Sequence, residues 1–137
     1  MNILEKIEKL ELILPPAPKP LGVYKPTLII DNFLYVSGQG PVKSDGSLII
    51  GKVGKDMDKH EAKKAARQVG LTMISSIVSN IENVERIKRV VKVFGMVNSS
   101  PNFYDHPFVI NGFSELMSEI FGEDLGIGVR SAVGMTL

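Results

Sequence analysis

Apolar residues recur at spacings of three and four in the opening stretch MNILEKIEKLELIL. Ile3, Leu4, Ile7, Leu10 and Leu14 are interleaved with Glu5, Lys6, Glu8, Lys9 and Glu11, which predicts an amphipathic helix within residues 1–14. The run PPAPKP at 15–20 ends it, since proline has no amide and disfavours helix in the residue before it. In TLIIDNFLYVSG two β-rich runs flank Asp31 and Asn32, a pair that tolerates the positive φ of a tight hairpin turn. A second turn, SDGS at 44–47, leads into Leu48, Ile49 and Ile50.

From about Lys59 to Ile81 a helical period returns. Ala62, Ala65, Ala66, Val69, Met73, Ile77 and Ile81 form one stripe, opposite Lys59, Lys63 and Arg67, so this helix packs on a core. RVVKVFGMVN at 89–98 reads as a buried strand. Ser100-Pro101 and Asp105 offer starts for a helix through Val109, Phe113, Leu116, Met117 and Ile120, which Gly122 closes. The last segment, GVRSAVGMTL, is strand-like. The order helix, strands, helix, strand, helix, strand specifies an α+β fold, a sheet with helices packed on one face.

A chain of 137 residues fits one domain, 1–137, and 44% hydrophobic with 23% charged residues supplies an ordinary core. Sixteen basic residues against fifteen acidic ones, with no basic stretch interleaved with aromatics, leave no field to draw nucleic acid or an anionic membrane. The absence of cysteine excludes disulfides, thiolate catalysis and thiolate-bound metals. Charges throughout residues 1–14 exclude a secretory signal or a membrane span there, and the expected location is cytoplasmic. No metal or cofactor is expected. The two histidines, His60 and His106, have no carboxylate at zinc-like spacing, and SGQGP at 37–41 lacks the third glycine of a dinucleotide loop. No serine sits in a G-x-S-x-G elbow, and KHEAKK fits a solvated helix face.

Arg130 stands apart. Arg67, Arg86 and Arg89 lie among charged neighbours, whereas Arg130 has no acidic residue within five positions and sits in a strand-like run of small and apolar residues. A guanidinium there needs a partner from elsewhere. That partner is either a distant Asp or Glu, or the carboxylate of a ligand held by a planar fork of donors.

GVYKP (22–26), LYVSGQGPV (34–42), FVINGFSELM (108–117) and GVRSAVGM (128–135) occur in this order and at separations that resemble the reactive intermediate deaminase family, also called RidA or YjgF. The similarity runs from about Leu21 to Met135, and VINGFS with RSAVGM resembles one subgroup of it. The resemblance implies a chorismate-mutase-like fold, a homotrimer with clefts between subunits, and an added amino-terminal helix in residues 1–14. It implies cofactor-free hydrolysis of 2-imino acids or enamines to 2-keto acids and ammonia. By position, Arg130 matches the catalytic, carboxylate-binding arginine, and Tyr24, Ser37 and Asn111 match residues lining the same cleft. Backbone around Ala132 would hold the imine nitrogen or the water. The family's further strand, with a water-activating glutamate, has no counterpart before the sequence stops at Leu137. Slower turnover is therefore one expectation, and the other is a non-catalytic protein that binds keto or imino acids in the same cleft. An RNA-acting role is disfavoured by the charge balance.

Overall fold

The amino-terminal helix is shorter than its apolar period. In the computed structural model, which describes residues 1–137, α1 spans Ile3–Lys9, with the Asn2 side chain accepting from the Glu5 amide at its start. Glu11 then takes a positive φ of 55°, and the Leu12 amide donates back to the Ile7 carbonyl, so the expected helix through Leu14 stops early. Leu12 and Leu14 still reach the core beside Ile3 and Ile7, but from extended chain.

β1 (Thr27–Ile30) and β2 (Phe33–Val36) form the hairpin the alternation predicts, paired from Ile30↔Phe33 to Thr27↔Val36, with Asp31 at φ 52° in the turn. The SDGS turn is present too, but of the run after it only Leu48 makes a bridge, to Val42, and Ile50 is exposed.

α2 (Lys59–Asn80) begins in a capping box, with Asp58 accepting from the Glu61 amide and the Glu61 side chain accepting from the Asp58 amide. Its buried Thr72, Ser75 and Ser76 are tie points to extended chain. The Val42 amide donates to Thr72 Oγ1, and Ser75 Oγ donates to the Pro15 carbonyl over 2.6 Å. Ser76 Oγ donates to Gln39 Oε1. α3 (His106–Phe121) carries Pro107 in its first turn and ends at Gly122, φ 99°. The helices meet where their side chains are smallest: a Cβ on Gly112 would collide with the Lys63 carbonyl, and one on Gly70 with Leu116. Leu116, Phe113 and Met117 fill the main core with Ile74 and Ile77, and a smaller cluster unites Val53, Ala62, Ala66, Val97, Val109 and Ile110.

β3 (Lys92–Asn98) and β4 (Val129–Met135) are parallel, paired from Lys92↔Val129 to Asn98↔Met135, and α3 is the crossover that a parallel pair needs. On this pair Val93, Gly95, Val97 and Ala132 face the helices, while Phe94, Met96 and Val129 point outward, exposed. The architecture is the expected α+β class with helices on one face. It differs from a single sheet in one respect: the strands fall into two separate pairs, because no hydrogen bonds join β2 to β3. No helix is long and apolar enough to cross a membrane.

Candidate anion site on the third helix and the last strand

Alternation along β4 decides where Arg130 points. Val129 and Ser131 are exposed, whereas Arg130 and Ala132 turn to the helix side and are partly buried. There α3 presents Pro107, Asn111 and Ser114, spaced four and three residues apart and therefore on one stripe, beside its buried stripe of Val109, Ile110, Phe113 and Leu116. Arg130 Nη2 donates to Asn111 Oδ1 at 2.7 Å and to the Pro107 carbonyl at 3.1 Å, and Nη1 donates to Ser114 Oγ at 3.1 Å.

All three partners are neutral. The ion pairs of this region go to other cations: Lys59 with Asp105, Lys63 with Glu115, and Arg67 with Glu119. Of the two partners the sequence allowed Arg130, a distant acid is thus absent, and the guanidinium keeps an uncompensated charge. A guanidinium has five N–H bonds, and those on Nε and one on Nη1 have no acceptor here. A ligand carboxylate would take free donors and compete with neutral oxygens for the rest, and charge-assisted bonds are about twice as strong as neutral ones.

The backbone adds donors beside it. Val129 N donates to the Val91 carbonyl and Met135 O accepts from Ser99 N, so the odd residues of β4 bond β3. By the same alternation the amides and carbonyls of Arg130, Ala132 and Gly134 point to the outer, unpaired edge of β4. Arg130 and Ala132 thereby offer side-chain and main-chain donors on one edge.

Of the residues matched by resemblance, Asn111 and Ala132 lie with Arg130. Tyr24 and Ser37 do not touch it within one chain: the Tyr24 hydroxyl accepts from the Leu21 amide, and Ser37 Oγ donates to the Lys25 carbonyl at the open end of the hairpin. Ser114 and Pro107 lie outside the residues that sequence reasoning singles out, although the spacing 107, 111, 114 marks one helix stripe. A second polar pair lies at the end of β3. Ser99 Oγ lies 3.1 Å from His106 Nε2, and His106 stands edge-on to Phe103. A Cβ on Gly134 would strike both partners, and no carboxylate joins the pair. It anchors the first residue of α3 to the end of β3. His60 stands edge-on to Phe108, with Lys59 and Lys63 over the same ring. The Asp45 carboxyl, in the 44–47 turn, is held below the usual carboxylate range by the hydroxyl and amide of Ser47.

Residues 6–133 match the family described as "YjgF/chorismate_mutase-like, putative endoribonuclease". Over 134 residues the chain is 35% identical to Protein TCP17 of Trypanosoma cruzi, covering 98% of this chain and 84% of that protein. It is similar to the solved structure of Atu1372, a protein of unknown function from Agrobacterium tumefaciens, with 35% identity, a TM-score of 0.84 and coverage of 98% of this chain and 83% of that one. A solved Shewanella oneidensis protein bearing the same endoribonuclease description is 29% identical, with a TM-score of 0.92 and coverage of 100% of this chain and 90% of that one.

Proposed function

Since this chain belongs to the YjgF/chorismate-mutase-like family, we propose that it binds small 2-keto and 2-imino acids through Arg130 and releases 2-keto acid and ammonia from the imines. The observation that carries this reading is the Arg130 guanidinium, held in place by Asn111, Ser114 and Pro107 yet paired with no carboxylate. A site that fixes a cation and leaves its charge unspent is built for an anion, and a planar fork suits a carboxylate.

The chemistry asks little beyond orientation. Water adds to the imine carbon, the nitrogen takes protons, and the C–N bond of the resulting carbinolamine breaks to give C=O and ammonia. Anchoring the carboxylate fixes the imine carbon relative to the outer edge of β4, where the Ala132 amide is free to bind the nitrogen or the water. No metal or nucleophilic side chain enters the scheme.

The proposal includes a homotrimer. Phe94, Met96, Val129 and Tyr35 leave an apolar sheet face open, and partner subunits would cover it. Tyr24 and Ser37 then meet Arg130 across a subunit boundary, which accounts for their separation from it in one chain.

The endoribonuclease description belongs to the family and to the Shewanella protein. It receives no support from the charge of +1 on this chain, since phosphate contacts are what binds RNA. One assay separates the readings. An amino-acid lyase generates a 2-imino acid in situ, and keto-acid release is followed with and without this protein, beside calorimetric titration with pyruvate and with a ribonucleotide. Accelerated release supports the deaminase. Pyruvate binding without acceleration supports the binding protein, and ribonucleotide binding without pyruvate binding overturns both.

A further inference from the structure

Arg130 depends on where α3 begins, and no local cap fixes that place. The Asp105 side chain makes no capping bond to the first turn, and its carboxylate goes instead to Lys59, in a solvent-exposed ion pair of the kind that holds little. Pro107 has no amide to add to the turn. Yet the Pro107 carbonyl is one of the two acceptors of Arg130 Nη2, so a first turn that frayed would loosen the guanidinium with it.

The hold comes from the sheet. Ser99 is 7% exposed and fixed at the end of β3, its amide donating to the Met135 carbonyl. Its Oγ and His106 Nε2 share a hydrogen bond over 3.1 Å, and His106 is the residue directly before Pro107. The imidazole lies over Gly134, where any Cβ would strike it, and Phe103 meets it at a right angle. On another side the pair borders a cavity of about 360 Å³, lined also by Tyr104 and Thr136, so packing alone leaves the ring room to turn. The bond to Ser99 stops it.

We propose that His106 is a positioning residue for Arg130: bonded to Ser99, it holds the first turn of α3 against β4 and keeps the Pro107 carbonyl on Nη2, so that the guanidinium fork is oriented before a ligand arrives. Its consequence for affinity rests on the reading of Arg130 as a carboxylate site, whereas the mechanical link does not. Gly134 and Arg130 both turn to the helix side of β4, so one helix turn touches the strand at two points four residues apart. The entropy of ordering a long side chain is thereby lost on folding and not again on binding.

Ser99→Ala tests this, since it removes the hydroxyl without adding bulk and the cavity admits solvent to His106 Nε2. In the ligand-free protein, rotation of the Arg130 guanidinium about Nε–Cζ, read by NMR from exchange between its Nη1 and Nη2 signals, should quicken by about threefold or more. His106→Gln, whose amide reaches the same hydroxyl, should keep the wild-type rate. In calorimetric titration with pyruvate, Ser99→Ala should raise Kd by about threefold to tenfold, and should add nothing further in an Arg130→Lys background. Equal rotation in the wild type and Ser99→Ala overturns the inference. So does unchanged pyruvate affinity in Ser99→Ala beside a lower melting temperature, the mark of a bond that serves stability alone. If the wild type binds no pyruvate and rotation still quickens, the ligand reading of Arg130 fails while its positioning by His106 stands.

Discussion

Asn111 Oδ1 accepts from Arg130 Nη2 across 2.7 Å, an amide oxygen in the place where a structural ion pair would have a carboxylate. The difference of one atom type is what leaves the guanidinium available. A neutral acceptor orients the side chain without cancelling its charge, whereas an acid would do both.

Asn111→Asp supplies that acid. The new internal ion pair should compete with any external carboxylate and lower affinity for a 2-keto acid by about tenfold or more, roughly 1.4 kcal/mol, while the melting temperature holds or rises. Titration calorimetry with a melting curve checks both; undiminished affinity would show that the ligand is held elsewhere.

Arg130→Lys keeps the charge and loses the fork. A lysine reaches as a point charge on a flexible stem, so ligand binding should weaken by about 1.5–3 kcal/mol, at least tenfold in Kd. A folded Arg130→Lys protein with wild-type affinity would remove Arg130 from the site, and a fall in stability alone would assign it to structure.

Light scattering at micromolar concentration should give the mass of three chains. Phe94 and Val129, 58% and 68% exposed, lie on the open sheet face, and a charge placed there by Phe94→Glu should yield a smaller species. A monomeric mass for the unaltered protein would fail the trimer.

Gly112→Ala tests the seat of α3. The added methyl collides with the backbone carbonyl of Lys63 rather than with a movable side chain, so the helices must part. A loss of about 1–3 kcal/mol is expected in chemical denaturation. Gly46→Ala meets no such neighbour and strains only the turn, where φ is 86°.

Helical period made α2 and α3 legible almost to their ends, because an apolar stripe is a local signal and so is the glycine at 122 that closes α3. The same signal overran α1: Leu14 keeps the spacing of Ile3, Ile7 and Leu10, but it packs after the chain has turned at Glu11, and spacing cannot tell the two apart. Arg130 was legible as a residue short of a partner. Its partners were not, since Pro107, Asn111 and Ser114 are neutral and come near only when the crossover brings α3 over β4. The division of the strands into two pairs left no trace in alternation, which reports which face is buried and says nothing of which edge is bonded.

The parallel pairing of β3 with β4 also sets a clock. The β1–β2 hairpin closes over two residues, an event of about 1–10 μs, and can open and close freely before anything else forms. β3 and β4 have no such shortcut. They align only when the helix between them has docked, so the loop entropy is lost before the ladder gives anything back. Refolding speed should therefore answer to the residues that seat α3, Gly112 among them, and far less to the turn at Asp31.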